Sequence, residues 1–401
     1  MTRTSTKETK ALFALLAYEL FGKELFVEAN DVAWQDVLAA ANEHAITPLL
    51  YSGVNQLEGV PQSIFDSIER SAVRSTITSD RMAKIQNDIL RSLKEEQVNV
   101  AVLKGTSVAA CYRHPEVRIT GDIDILIDPA DMEKCSEILS RNGFIRESES
   151  ELHTVYRTRQ AVVEAHWRVT RYPSTVKGEF TESYMDDALK NVVLQRFGQY
   201  EFPVLDTPYQ LVSLLSHMER HMGASGIGLR QLCDWAVSVH RVKSEEYETV
   251  ISVLEKCGLL RFAQILTKVC EKHFSLPTCE WLSPVSDELM EEMISEILSV
   301  GNFQAQYENR PFASALIDPY DLDGDGKHRL VKTYFRRVER KMRNEYKWAK
   351  SRAWIPFFGV FYFGRLCLGI LKGNVSGKGM LNTLRTSRAR EKLLRKMCLY
   401  K

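Results

Sequence analysis

A chain of 401 residues, 44% apolar and 26% charged, is long enough for two to four compact units and too apolar for wholesale disorder. Its eight cysteines include no Cys-x-x-Cys pair, which points to reduced, buried thiols in the cytoplasm rather than to disulfides or a zinc site. The net charge of +1 conceals an asymmetry: residues 327–401 hold 21 Lys and Arg against 3 Asp and Glu, so the first 326 residues carry −17, a split that concerns partners rather than folding.

The opening MTRTSTKETK runs into an amphipathic pattern and lacks the apolar core of a secretory leader. Leu12, Leu15, Leu16 and Leu20, and later Ile85, Ile89 and Leu93, recur at helical spacing. Breaks are expected at Gly53 and at Val60-Pro61, and residues 1–95 form a predicted helical domain. The pattern then changes. A β-branched run at 98–103 ends at Lys104-Gly105, a short helix is expected at 107–112, and a second strand at 123–127. Asp128-Pro129 supplies a cap and a first-turn proline for a helix that Gly143 stops. Strands at 153–158 and 161–169 follow, joined by a tight turn at Arg159-Gln160. Residues 96–175 therefore read as a small α/β unit with a mixed sheet.

From 207 the pattern is helical again to about 300, with Pro208 at a helix start, and 176–310 is a predicted helical domain. The last region, 311–401, is basic and contains an apolar stretch at 354–371.

Asp122 and Asp124 stand two apart on a predicted strand, so both point to one face while Ile123 and Ile125 point to the other. Two such carboxylates repel unless a cation lies between them, and magnesium, or manganese, suits oxygen ligands shared with phosphates. On the last strand Glu164, His166 and Arg168 alternate with Val163, Ala165, Trp167 and Val169. If that strand neighbours the first, Glu164 is a third carboxylate at one metal centre, and three carboxylates can hold two metals that clamp a nucleotide's phosphates. The turn Lys104-Gly105-Thr106-Ser107 opens a helix, a natural place for phosphate oxygens, and Arg118 offers a fork of donors four residues before Asp122.

The run LKGTSVAACYRHPEVRITGDIDILID, followed by VVEAHW, resembles the uncharacterised nucleotidyltransferase family that bacteria carry in polysaccharide and peptide-modification gene clusters, a branch of the DNA polymerase β-like superfamily. The resemblance covers roughly 11–240. It implies an α+β fold, a small mixed-sheet nucleotidyltransferase core flanked by N-terminal and C-terminal helical domains. It also implies metal binding by Asp122, Asp124 and Glu164, with Glu164 accepting the acceptor's proton. Lys104, Gly105, Ser107, Arg118 and Gly121 would lie on the nucleotide's phosphates, and His166, His217, His221, Arg230 and Asp234 along the substrate cleft. The chain departs from the superfamily in one respect: Gly105 lies 17 residues before Asp122, and Thr106 separates it from Ser107, where a Gly-Ser pair about ten residues upstream is usual.

Other motifs carry less. His217 and His221 share a helix face but lack the glutamate spacing of a metalloprotease, and hydrogen-bonded helix histidines are the plainer explanation. Asp321-Leu-Asp323-Gly-Asp325-Gly326 begins like a calcium loop, yet Lys332 stands where the bidentate glutamate belongs. Residues 354–371 fit either an interfacial segment on an anionic membrane or a core helix, and nucleic acid ranks below membrane as a partner of the basic region. The expectation is thus a cytoplasmic enzyme, peripheral on the inner membrane face. It would move a nucleoside monophosphate from an NTP to a sugar, lipid-linked glycan, peptide or small molecule. A non-catalytic scaffold of the same fold, or a phosphoryl or glycosyl transferase reusing the carboxylates, is the alternative.

Overall fold

Leu12, Leu15, Leu16 and Leu20 are all buried along one side of the first helix, α1 (Lys7–Phe21). In the computed structural model, which describes residues 6–223, 226–300, 351–371 and 390–400 together with 335, 338, 339, 342 and 346, that helix packs with α2 (Trp34–Glu43) and α3 (Tyr51–Val54). The break expected at Gly53 is instead a turn of α3. A Cβ at Gly53 would stand 2.6 Å from Leu15 Cδ2, so the missing side chain permits a close helix crossing rather than ending a helix. Pro61 does mark a boundary: it precedes α4 (Gln62–Glu95), whose stripe Ile64, Ile68, Ala72, Met82, Ile89 and Leu93 is buried at helical spacing.

The sheet has seven strands: β1 (Val100–Val102), β2 (Ile123–Ile127), β3 (Ile145–Glu149), β4 (His153–Arg157), β5 (Val162–His166), β6 (Val192–Phe197) and β7 (Tyr200–Leu205). Their order is β3-β4-β5-β2-β1-β7-β6, with parallel pairing at β2–β5 and β1–β7 and antiparallel pairing elsewhere. Between the strands lie α5 (Thr106–Ala109), α6 (Met132–Arg141) and α7 (Val176–Asp186). Asp128 accepts the Ala130 N–H at 2.9 Å at the start of the turn leading into α6, and Gly143 closes that helix at φ +83°. This is the cap and stop expected from the sequence.

Ile123, Ile125 and Ile127 of β2 and Val163 and Ala165 of β5 share one core with Leu90 and Leu93 of α4 and Ile138 and Leu139 of α6. The intervening residues of both strands are therefore turned to the opposite face of the sheet. Three strands lie outside the predicted set. β3 is exposed at every position, so it has no apolar alternation to read, while β6 and β7 form a hairpin closed at Gly198 (φ +58°). β5 also stops at His166, three residues before the predicted end, and Arg168 leaves the sheet to pair with Glu182 at 2.6 Å.

Helices α8 (Thr207–Gly223), α9 (Leu229–His240), α10 (Tyr247–Lys256), α11 (Leu260–Phe274) and α12 (Asp287–Leu298) follow. The chain divides into two compact units. One comprises Met1–Met218, Ile227–Phe303 and Tyr400–Lys401; the other comprises Glu219–Gly226 and Gln304–Leu399. In the second unit, Phe358 of the helix Ile355–Leu371 is buried with Val338 and Met342. Among the described residues no helix is long and apolar enough to cross a membrane. The calcium-like loop at 321–326 and most of the basic 327–401 region lie outside the described residues.

Candidate active site

The parallel pairing of β2 with β5 sets Asp124 directly opposite Glu164. Asp122 lies one residue before β2 rather than within it, yet its carboxylate still joins the other two: one oxygen from each of Asp122, Asp124 and Glu164 lies within 4.8 Å of the others. Two basic side chains face this cluster. Lys104, in the turn after β1, places Nζ 2.9 Å from Asp124 Oδ1, and His166 Nε2 lies 3.1 Å from the same oxygen and 3.2 Å from Glu164 Oε2.

Asp124 is 1% exposed, and its second oxygen, Oδ2, is enclosed without any hydrogen-bond partner. An ionised oxygen stripped of water and left unpaired is costly, and a divalent cation is the group that answers that deficit among three carboxylates. The residues present therefore fit a metal.

The electrostatics agree. The hydrogen bond from His166 outweighs burial and, with the Lys104 charge, holds Glu164 down to about 2. Burial opposes a charge on His166 and on Lys104, but the carboxylates around each prevail and raise both pKa values. Glu164 is thus kept ionised, as a metal ligand must be.

The predicted phosphate side is more mixed. Gly105 adopts φ +70°, ψ −111°, a region closed to residues with a side chain, and this bend sends Lys104 toward the carboxylates. Thr106 donates to Gln86 Oε1 at 2.9 Å, while Ser107 is 1% exposed with an unpartnered hydroxyl. Gly121 is exposed, with open space where a side chain would stand.

Arg118 does not offer its fork to solvent. Its Nε and Nη2 bind the two oxygens of Asp234 at 2.7 and 2.8 Å, and Tyr112 donates to the same carboxylate at 2.7 Å. Arg118 and Asp234 thus satisfy each other in the interior, since neither charge can be buried alone. Arg230, one turn earlier on α9, differs: its Nε is enclosed without a partner, and burial together with the nearby Arg118 cation pushes its pKa down. It is the arginine of this pair with donors to spare. His217 and His221 both lie on α8, and neither joins a metal-ligating group among the described residues.

One residue of the site escaped the sequence reading. His153 stands in register with His166 across β4 and β5, with ring centroids 4.6 Å apart. The predicted turn at Arg159-Gln160 already implied it, because an antiparallel pairing that sets 158 against 161 sets 153 against 166.

The chain matches, over residues 30–275, the model of a protein family described as an uncharacterised nucleotidyltransferase. That span is well over half of the chain and contains every site residue discussed above. No curated protein matches the chain, and no solved structure does.

Proposed function

The chain belongs to the uncharacterised nucleotidyltransferase family and is thus a transferase; from that premise we propose that Asp122, Asp124 and Glu164 hold the divalent cations, magnesium or manganese, of a polymerase β-like nucleotidyl-transfer site. The observation that carries this reading is the buried, unpartnered Oδ2 of Asp124 within a cluster of three carboxylates. When bound, the metals would neutralise the triphosphate and activate the attacking oxygen. The acceptor oxygen forms a bond to the α-phosphorus, the bond to the oxygen bridging the α and β positions breaks, and pyrophosphate leaves with that electron pair. The acceptor's proton goes to solvent. A carboxylate held near 2 suits a ligand better than a base, which argues for Glu164 as a ligand.

The chain's own residues would divide the remaining work. Lys104, at 2.9 Å from Asp124 Oδ1, stands beside the cluster with a point charge suited to phosphate. Arg230, with an unspent Nε, is better placed than Arg118 to take an anionic oxygen.

The test is direct. The four NTPs are titrated into the full chain with and without magnesium, and into the Asp122→Ala and Asp124→Ala variants. Magnesium-dependent binding that both variants lose is expected. Binding indifferent to magnesium would overturn the reading. It would favour a non-catalytic role, in which Lys104 is the permanent countercharge of Asp124.

We further infer that the acceptor is a polysaccharide precursor or peptide handled at an anionic membrane surface. Support comes from the 21 Lys and Arg of 327–401 and from Trp354, Phe357, Val360 and Phe361, which are exposed at and beyond the start of the helix Ile355–Leu371. Co-sedimentation with phosphatidylglycerol vesicles but not with phosphatidylcholine vesicles is the expected result; binding to neither, or equal binding to both, would exclude it.

A further inference from the structure

We propose that His153, Glu164 and His166 form a second cation site beside the three carboxylates, one that selects a divalent transition metal such as zinc. A ring nitrogen from each histidine and one oxygen of Glu164 lie within 4.8 Å of one another. Two strands position all three. His153 of β4 faces His166 of β5 in register, and Glu164 precedes His166 by two residues on the same face of β5.

The donors are close to coordinating geometry before any metal arrives. His166 Nε2 and Glu164 Oε2 are 3.2 Å apart, about the edge of a tetrahedron whose metal bonds are ~2.0–2.1 Å long. His166 is 6% exposed, and the nitrogen it turns to Glu164 is Nε2, which also lies 3.1 Å from Asp124 Oδ1.

The chemistry of the set distinguishes it from its neighbour. Asp122, Asp124 and Glu164 offer only carboxylate oxygens, the preference of magnesium. Two imidazoles and one carboxylate suit zinc, iron or nickel and make a poor magnesium site. Three protein ligands also leave a fourth position for a water or a substrate oxygen. The two sites share Glu164, so the second deepens the proposed transferase reading without depending on a bound nucleotide.

The experiment uses chelator-treated full chain titrated calorimetrically with zinc, with magnesium as competitor, and with cobalt as a spectroscopic substitute. One equivalent of zinc that excess magnesium does not displace is expected. His153→Ala should weaken it at least about tenfold, since even the outer partners of a metal ligand are worth 10–100-fold in affinity. Asp122→Ala should retain the zinc equivalent while losing magnesium-dependent NTP binding, so the two readings fail separately. The inference is overturned if no zinc binds, if magnesium displaces it, or if His153→Ala leaves its affinity unchanged. Should His153→Ala not fold, cobalt bound to the unmodified chain decides. Intense visible bands from a four-coordinate nitrogen-containing site support the inference, and the weak bands of six oxygen ligands overturn it.

Discussion

Asp234 and Asp124 are both buried carboxylates, 4% and 1% exposed, and both face a cation, but their surroundings differ. Both oxygens of Asp234 are occupied: Oδ1 accepts from Arg118 and Tyr112, and Oδ2 accepts from Arg118. Asp124 crowds Lys104 and His166 onto Oδ1 and leaves Oδ2 with nothing. A buried charge whose partners are complete is architecture. One whose partners are incomplete, in a chain that belongs to a transferase family, is where we propose a ligand.

The largest expected effect breaks the complete side. Asp234→Ala leaves Arg118 buried without its partner and should cost about 3–5 kcal/mol of unfolding free energy, measured by urea titration. Replacing Arg118 and Asp234 together by apolar residues should recover most of that loss. A single variant as stable as the parent would mean that Asp234 is not structural. On the incomplete side the loss is in chemistry. Asp124→Asn keeps the shape but removes the charge and one of the two oxygens, and nucleotidyl transfer should fall at least about a hundredfold, the scale on which one group aimed at developing charge acts. Its melting temperature should fall, because Lys104 and His166 lose the charge they share on Oδ1. Full turnover in this variant would end the case for Asp124 as a ligand.

This contrast also explains what could be read in advance. β2 and β5 each have one apolar face fixed by Ile123, Ile125, Val163 and Ala165, so the polar residues between them had only one direction to point. The three carboxylates and His166 were therefore legible from alternation. The Arg118–Asp234 pair was not: its members are 116 residues apart, and nothing in the segment around either one reveals that they meet. Read singly, each resembled a substrate contact. β6 and β7 did carry a signal, with apolar residues on both sides of a Gly198 turn, whereas the exposed IRESE of β3 carried none.

A smaller effect probes how far the complete side extends. His44 is buried, its Nδ1 accepts the Leu229 N–H at 3.1 Å where α9 begins, and it makes a backbone hydrogen bond with Leu298. Burial holds its pKa down to about 4 from 6.5, so the folded chain keeps the ring neutral while the unfolded chain takes up a proton first. Stability is therefore full above pH 6.5 and falls as pH drops toward 4. The loss is roughly 3 kcal/mol, at 1.36 kcal/mol for each pKa unit. Unfolding free energies of the parent and of His44→Gln, compared between pH 7 and pH 4.5, should converge at the lower pH. Parallel curves would show that His44 does not remain neutral.

The smallest effect falls where the two regions meet. Gly105 stands between Lys104, which faces Asp124, and the turn Thr106–Ala109, which leads to Tyr112 and so to Asp234. Its φ of +70° with ψ of −111° is a conformation that only glycine adopts freely, although an added Cβ would meet nothing closer than Asp122 O at 3.5 Å. Gly105→Ala should accordingly act through backbone strain rather than collision, and cost about 1–3 kcal/mol of stability. Because relief of that strain rotates the chain on one side or the other, the variant also reports which region is held harder. Complete partners on Tyr112 and Asp234 should keep α5 in place and let Lys104 move. The KM for the NTP should then rise while kcat changes little. If kcat falls with KM unchanged, or if stability is unaltered, Lys104 is fixed by the carboxylates as firmly as Tyr112 is by Asp234, and the distinction between an open and a complete cluster does not hold at this turn.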